Sequence, residues 1–198
     1  MTALDQIPTD TRPGILICAW EAEGSGWDPV EDLSGEPWSP EGARTVPVPS
    51  AEPDALASTL STYLNDDRCR ALLLVGRTRK TDGFRLQMRA ENRTAEGTHR
   101  PDDVSPSVAR ATAPVGDMVR ALQEAGLAAG ATSEAEDDAG SYLLYRVLTS
   151  LPDGSATPAV GLLRAPEDES DDAVQRAVKA AAQAIARHLA PLPRSRAY

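Results

Sequence analysis

Three short runs of uninterrupted apolar residues constrain the fold most: Gly14-Ile15-Leu16-Ile17-Cys18, Ala71-Leu72-Leu73-Leu74-Val75-Gly76 and Ala159-Val160-Gly161-Leu162-Leu163. A strand with one wet face alternates apolar and polar residues. A strand apolar at every position has both faces covered, as in sheets with helices packed on each side. Helical patterns lie between these runs. Leu56, Leu60 and Leu64 recur at helical spacing in 53–65 behind Pro53, which suits a first turn. Val115, Met118, Val119 and Leu122 mark a second helix ended by Gly126, and a third is expected over about 139–150. Val174, Val178, Ala181 and Ile185 draw an apolar stripe along an alanine-rich helix over about 170–189, with Ser170 as its N-cap. Strands alternating with helices predict α/β layers.

The weaker elements are Val46-Pro47-Val48, a short strand, and Leu127 to Thr132, another. Phe84, Leu86 and Met88 alternate with Arg85, Gln87 and Arg89, which predicts a strand with one wetter face and puts Gln87 on that face. Residues 93–110 have no periodicity and are expected to be loop. So is the stretch from Glu21 to Pro53, rich in Gly, Pro, Ser and acids, with Trp20, Trp27 and Trp38 in and beside it. Glu134, Glu136, Asp137 and Asp138 precede the third helix and favour its positive end. Contiguous loop carboxylates of this kind are expected to be solvated.

At 198 residues and 21.0 kDa the chain fits a single domain, 1–198, with the leader 1–13 and tail 190–198 expected to be less ordered. Only 4% of residues are aromatic, so aliphatic residues and alanine must fill the core. A net charge of −10 argues against a nucleic-acid partner, because phosphate backbones are held by clustered Lys and Arg. No apolar run approaches the roughly 20 residues of a membrane helix, and the start lacks a basic and hydrophobic leader. A cytoplasmic protein without membrane contact is expected. Cys18 and Cys69 are expected to be reduced and structural. Metal-ligand spacing, a phosphate-binding glycine loop and a dinucleotide fingerprint are all missing from the sequence, so neither metal nor cofactor is expected.

Several motifs together carry a resemblance. Ala139-Gly140-Ser141-Tyr142-Leu143-Leu144-Tyr145 is similar to the nucleophile-bearing helix start of the pyroglutamyl peptidase I family, with Leu144 at the position of the cysteine. Gln87-Met88-Arg89-Ala90-Glu91-Asn92 resembles that family's Glu-x-x-Ala-x-Asn, which puts Gln87 on the catalytic glutamate. Val160-Gly161-Leu162-Leu163-Arg164-Ala165-Pro166 resembles Gly-Phe-Ile-His-x-Pro, with Arg164 on the histidine. Ala19-Trp20-Glu21-Ala22-Glu23-Gly24 is similar to the Gly-Phe-Glu-Pro-Phe-Gly loop that walls the pyroglutamyl ring, and Trp27-Asp28-Pro29 to the Asn-Pro after it. Leu74-Val75-Gly76-Arg77 resembles a strand ending in Gly-Gln, and Pro101-Asp102-Asp103 a Pro-Asp-Asn. The resemblance spans about Gly14 to Leu189 in family order. It implies a three-layer α/β/α sandwich with a central mixed, mostly parallel sheet, and members that form dimers or tetramers.

It also implies that the family's chemistry is absent. A cysteine peptidase needs a thiolate, a group near neutral pKa to exchange protons, and a third group to orient that one. Leucine has no nucleophilic atom, arginine stays protonated, and glutamine carries no charge. In a serine protease, loss of one central triad member lowers kcat by about a million-fold. The possible substitutes are few: Ser141 paired with His99, Cys18 at the end of its strand, and His188 on the last helix. Each has an ordinary structural role as its alternative. The expectation is a catalytically inactive binding or scaffolding module whose partner is a peptide terminus or another protein, with self-association open. Its altered cleft would be lined by Trp20, Glu23, Asp28, Arg77, Tyr142, Tyr145 and Arg164. Two alternatives stay open: an enzyme with replaced chemistry acting on a modified peptide, using Tyr142, Tyr145, Glu23 or Arg164, and a purely structural subunit.

Overall fold

The computed structural model describes residues 10–20, 37–93, 105–151, 154 and 157–189. The chain runs β1 (Gly14–Ala19), β2 (Arg44–Pro47), α1 (Pro53–Leu64), β3 (Cys69–Thr78), β4 (Phe84–Gln87), β5 (Arg89–Glu91), β6 (Val108–Arg110), α2 (Val115–Glu124), β7 (Ala129–Thr132), α3 (Ala139–Ser150), β8 (Ala159–Pro166) and α4 (Asp171–Ala186). Six strands form one sheet in the order β2-β1-β3-β8-β4-β7. Every neighbouring pair is parallel except β4 and β8, which run antiparallel, so the sheet is mixed and mostly parallel as expected.

Strand geometry divides the core into two layers, because successive side chains point to opposite faces. Ile15 and Ile17 of β1, Leu73 and Val75 of β3, Phe84 and Leu86 of β4 and Leu163 of β8 pack with Met118 and Leu122 of α2 and Val174, Val178 and Ile185 of α4. The intervening residues, Leu16, Cys18, Leu72, Leu74, Val160 and Leu162, meet Leu56 and Leu60 of α1 and Leu143, Leu144 and Val147 of α3. This is the three-layer sandwich the sequence predicts, and the continuous apolar runs are its inner strands. By the same parity, Trp20, Gly76, Gln87 and Arg164 all belong to the α1/α3 face.

Local signals hold where they have a mechanism. Pro53 opens α1 and the Ser170 side chain accepts the Ala173 N–H at the start of α4. Gly126 follows α2 with φ 78°, a backbone that an L side chain disfavours. Cys18 and Cys69 are buried free thiols. Among the described residues no helix is long and apolar enough to cross a membrane.

Three expectations fail. Residues 93–110 are not loop throughout, since Val108–Arg110 pairs antiparallel with Arg89–Glu91 as a separate two-stranded ribbon. Leu127 lies outside β7, because its N–H caps the carbonyl of Leu122 at the end of α2. Gln87 is fully buried. Its side of β4 does carry polar groups, but α3 covers that side and water does not reach it.

Candidate functional site

The three positions that the sequence resemblance matches to the family's catalytic residues, Gln87, Leu144 and Arg164, reach the same face of the sheet from three elements. β4 ends at Gln87, β8 presents Arg164 in place of the next apolar residue, and α3 crosses above them. The register pairs Gln87 with Leu162, so Gln87 and Arg164 are near neighbours across the antiparallel β4–β8 step.

Arg164 is the largest fully buried side chain among the described residues, and each of its three nitrogens donates a hydrogen bond. Its Nε donates to Gln87 Oε1 at 3.0 Å. Its terminal nitrogens grip both carboxylate oxygens of Asp138, at 2.5 Å and 2.8 Å, and one of them also donates to Ser141 Oγ at 3.0 Å. Gln87 Nε2 in turn donates to the carbonyl of Arg89 at 2.8 Å and to Ser141 Oγ at 3.1 Å. Asp138 is the N-cap of α3, accepting the Ser141 N–H at 2.9 Å, so one carboxylate closes the helix start and neutralises the cation beneath it. Glu136 adds a second carboxylate 3.6 Å from the guanidinium and accepts from Thr78 Oγ1 at 2.8 Å. Among the described residues, Thr45 Oγ1 is the only buried side-chain polar atom left without a partner, so this network is closed.

The electrostatics follow from that closure. Burial pushes the Asp138 carboxyl up, but the hydrogen bonds and charge of Arg164, with the N–H and hydroxyl of Ser141, outweigh it and hold the group below the ordinary 3.8. The expectation that the loop acids are solvated is therefore corrected: Asp138 and Glu136 are counterions of a buried arginine.

Trp20 closes the network from the side. The Arg164 guanidinium carbon lies 5.6 Å from the centre of the indole, a cation–π contact. The same ring fills the space over Gly76 of β3 and Gly140 of α3, where a Cβ at either position would overlap it. Leu144 points into the apolar layer with Leu143, Leu74 and Leu162 and is fully buried. No sulfur, imidazole or unengaged carboxylate stands at the three matched positions.

The remaining expected lining residues that the structure describes, Arg77, Tyr142 and Tyr145, have partners outside this cluster. Arg77 alternates to the α4 side, where it donates to the carbonyls of Pro166 at 3.1 Å and Glu169 at 3.0 Å and pairs with Asp171 at 2.9 Å. Tyr142 and Tyr145 are buried; the first hydroxyl bonds Asp54 of α1 and the second donates to the carbonyl of Pro106 at 2.6 Å. Glu23, Asp28 and His99 lie outside the described residues, as do 1–9 of the leader and 190–198 of the tail. His188 pairs with Asp117 of α2 at 2.5 Å, well away from the cluster. Burial raises the Cys18 thiol to about 12 and so keeps it unreactive.

Sequence reasoning missed Asp138. Two signals could have found it: an Asp three residues before Ser141 at a helix start, which is N-cap spacing, and an arginine inside an apolar strand, which must have a buried counterion.

No protein-family model and no curated protein sequence matches the chain. Solved structures do match. Pyroglutamyl peptidase I from Bacillus amyloliquefaciens superposes with a TM-score of 0.71 at 17% identity, over 89% of this chain and 96% of the other. Pyrrolidone carboxyl peptidase from Thermus thermophilus gives 0.67 at 19% identity, over 85% and 98%. A variant of the Pyrococcus furiosus pyrrolidone carboxyl peptidase gives 0.70 at 18% identity, over 89% and 100%. The fold of this chain is the pyroglutamyl peptidase fold.

Proposed function

We propose that this protein is a non-catalytic relative of the pyroglutamyl peptidases that binds a peptide end or a partner protein without cleaving it. One observation carries the proposal: the groups at the three matched positions are engaged in structure, Leu144 by the core and Gln87 and Arg164 by a hydrogen-bonded network with Asp138 and Ser141. Catalysis needs a nucleophile with a base in hydrogen-bond reach. Ser141 is the hydroxyl in direct contact with Gln87 and Arg164, and its neighbours there are an amide, a guanidinium and a carboxylate that is already doubly engaged. An arginine cannot take its proton.

The reading of replaced chemistry draws less support, because the hydroxyls of Tyr142 and Tyr145 are bonded to Asp54 and Pro106 and Arg164 faces inward. Incubation with short peptides bearing free or pyroglutamyl ends, followed by mass spectrometry and equilibrium dialysis, tests the proposal. Retention of a peptide with its mass unchanged is the expected result. Time-dependent cleavage that scales with protein concentration overturns it.

A further inference from the structure

A cleft of about 420 Å³ opens where β3 and β8 end, between the residues that follow Arg77 and the acids that precede α3. Two features give this place meaning. Open α/β sheets bind ligands beyond the carboxyl ends of their strands, and the volume falls in the range of small-ligand sites. It adjoins the buried cluster, sharing Thr78, Glu136 and Asp138 with it, while Arg164 itself lies beneath them and does not line the cleft.

The charges around the cleft are of two kinds. Some are fixed: Arg77 is held by carbonyls at the start of α4, and Asp138 and Glu136 are held by Arg164 and Thr78. Others belong to exposed pairs. Arg79 faces Glu167 at 3.7 Å with both side chains mostly in water, Lys80 meets Glu134, and Asp137 meets Arg93. Exposed pairs of this sort contribute little to stability because water screens them, so a ligand can exchange with them at small cost. The fixed groups shape the site and the exchangeable ones are free to greet a charged guest.

We infer that this cleft takes a small dipolar ligand carrying both a carboxylate and an ammonium, the ends of a short uncyclised peptide, with Arg79 and Lys80 receiving the carboxylate and Glu167 and Asp137 the ammonium. The inference rests on the binding-module reading above and adds the site and the requirement for both charges. A pyroglutamyl end has no ammonium and uses only half of this lining.

Isothermal titration of the full chain with the dipeptide Ala-Ala, its N-acetyl form and its C-terminal amide tests it. Because the ligand's ends meet the same water-exposed side chains, the zwitterion is expected to bind about threefold to fivefold tighter than either capped form. Lys80→Met should remove the preference over the amide, and Glu167→Gln the preference over the acetyl form. Both positions are at the surface, and unchanged thermal melting confirms that folding is intact. Equal affinity for all three probes, or no saturable binding, overturns the inference while leaving the absence of cleavage standing. Cleavage of Ala-Ala would instead remove the non-catalytic reading.

Discussion

Asp138 does two jobs at one position, capping α3 and balancing Arg164, and the pair is asymmetric. Arg164 is fully buried whereas Asp138 keeps 29% of its side chain exposed, so the arginine cannot lose its partner and relax into water. The carboxyl is held below its ordinary 3.8 by that partner and by Ser141, against the upward push of burial. A group depressed in the folded state contributes stability that is present above its unfolded value and lost as pH falls through its folded one. Acid unfolding followed by circular dichroism should therefore show a loss of stability on the acid side of pH 4 that is flattened in Asp138→Asn. A wild-type stability that stays level from pH 5 down through that range would deny the pairing. Cys18, with its thiol raised to about 12, is expected to stay unmodified by an aromatic disulfide reagent in the native protein and to react once denaturant is added. Native-state reaction at the unfolded rate would mean the strand end is open.

At the scale of elements, the close approach of β1, β3 and α3 depends on two missing side chains. Gly76 and Gly140 leave the room that Trp20 occupies, and the indole then covers Arg164. Overpacking a filled core costs about 1–3 kcal/mol. Gly76→Ala and Gly140→Ala should each lower stability by about that amount and shift tryptophan emission to the red as the ring is displaced, while Gly116→Ala, in open space on α2, should do neither. Legibility also differed among elements for physical reasons. β1, β3 and β8 announce themselves because burial on both faces leaves β1 without a polar residue, β8 with Arg164 alone, and β3 with polar residues only toward its ends, at Arg70, Arg77 and Thr78. The β5–β6 ribbon was hidden because three-residue strands with arginine and glutamate on them have no period to detect. Gln87 was assigned the right face of β4 but the wrong environment, since alternation tells which side a residue takes and not whether α3 will cover that side.

At the scale of the whole molecule, the sheet and its two helical layers have the pyroglutamyl peptidase fold, and β4, β8 and α3 converge on a closed network of hydrogen bonds and charges. The resemblance aligns Arg164 with the family's histidine; its pairing with Asp138 was not legible, because the pair is completed by an acid from a loop without periodicity. Removing one partner of a buried ion pair costs about 3–5 kcal/mol, since the survivor is left uncompensated. Substituting both leaves no uncompensated charge behind. A denaturant-melting cycle of wild type, Asp138→Asn, Arg164→Met and the double variant measures this directly. The pairing predicts that Asp138→Asn alone loses about 3–5 kcal/mol and that the pair couples by more than about 1 kcal/mol. Additive losses, with Asp138→Asn within about 0.5 kcal/mol of wild type, would contradict it and leave Arg164 and Asp138 available for chemistry.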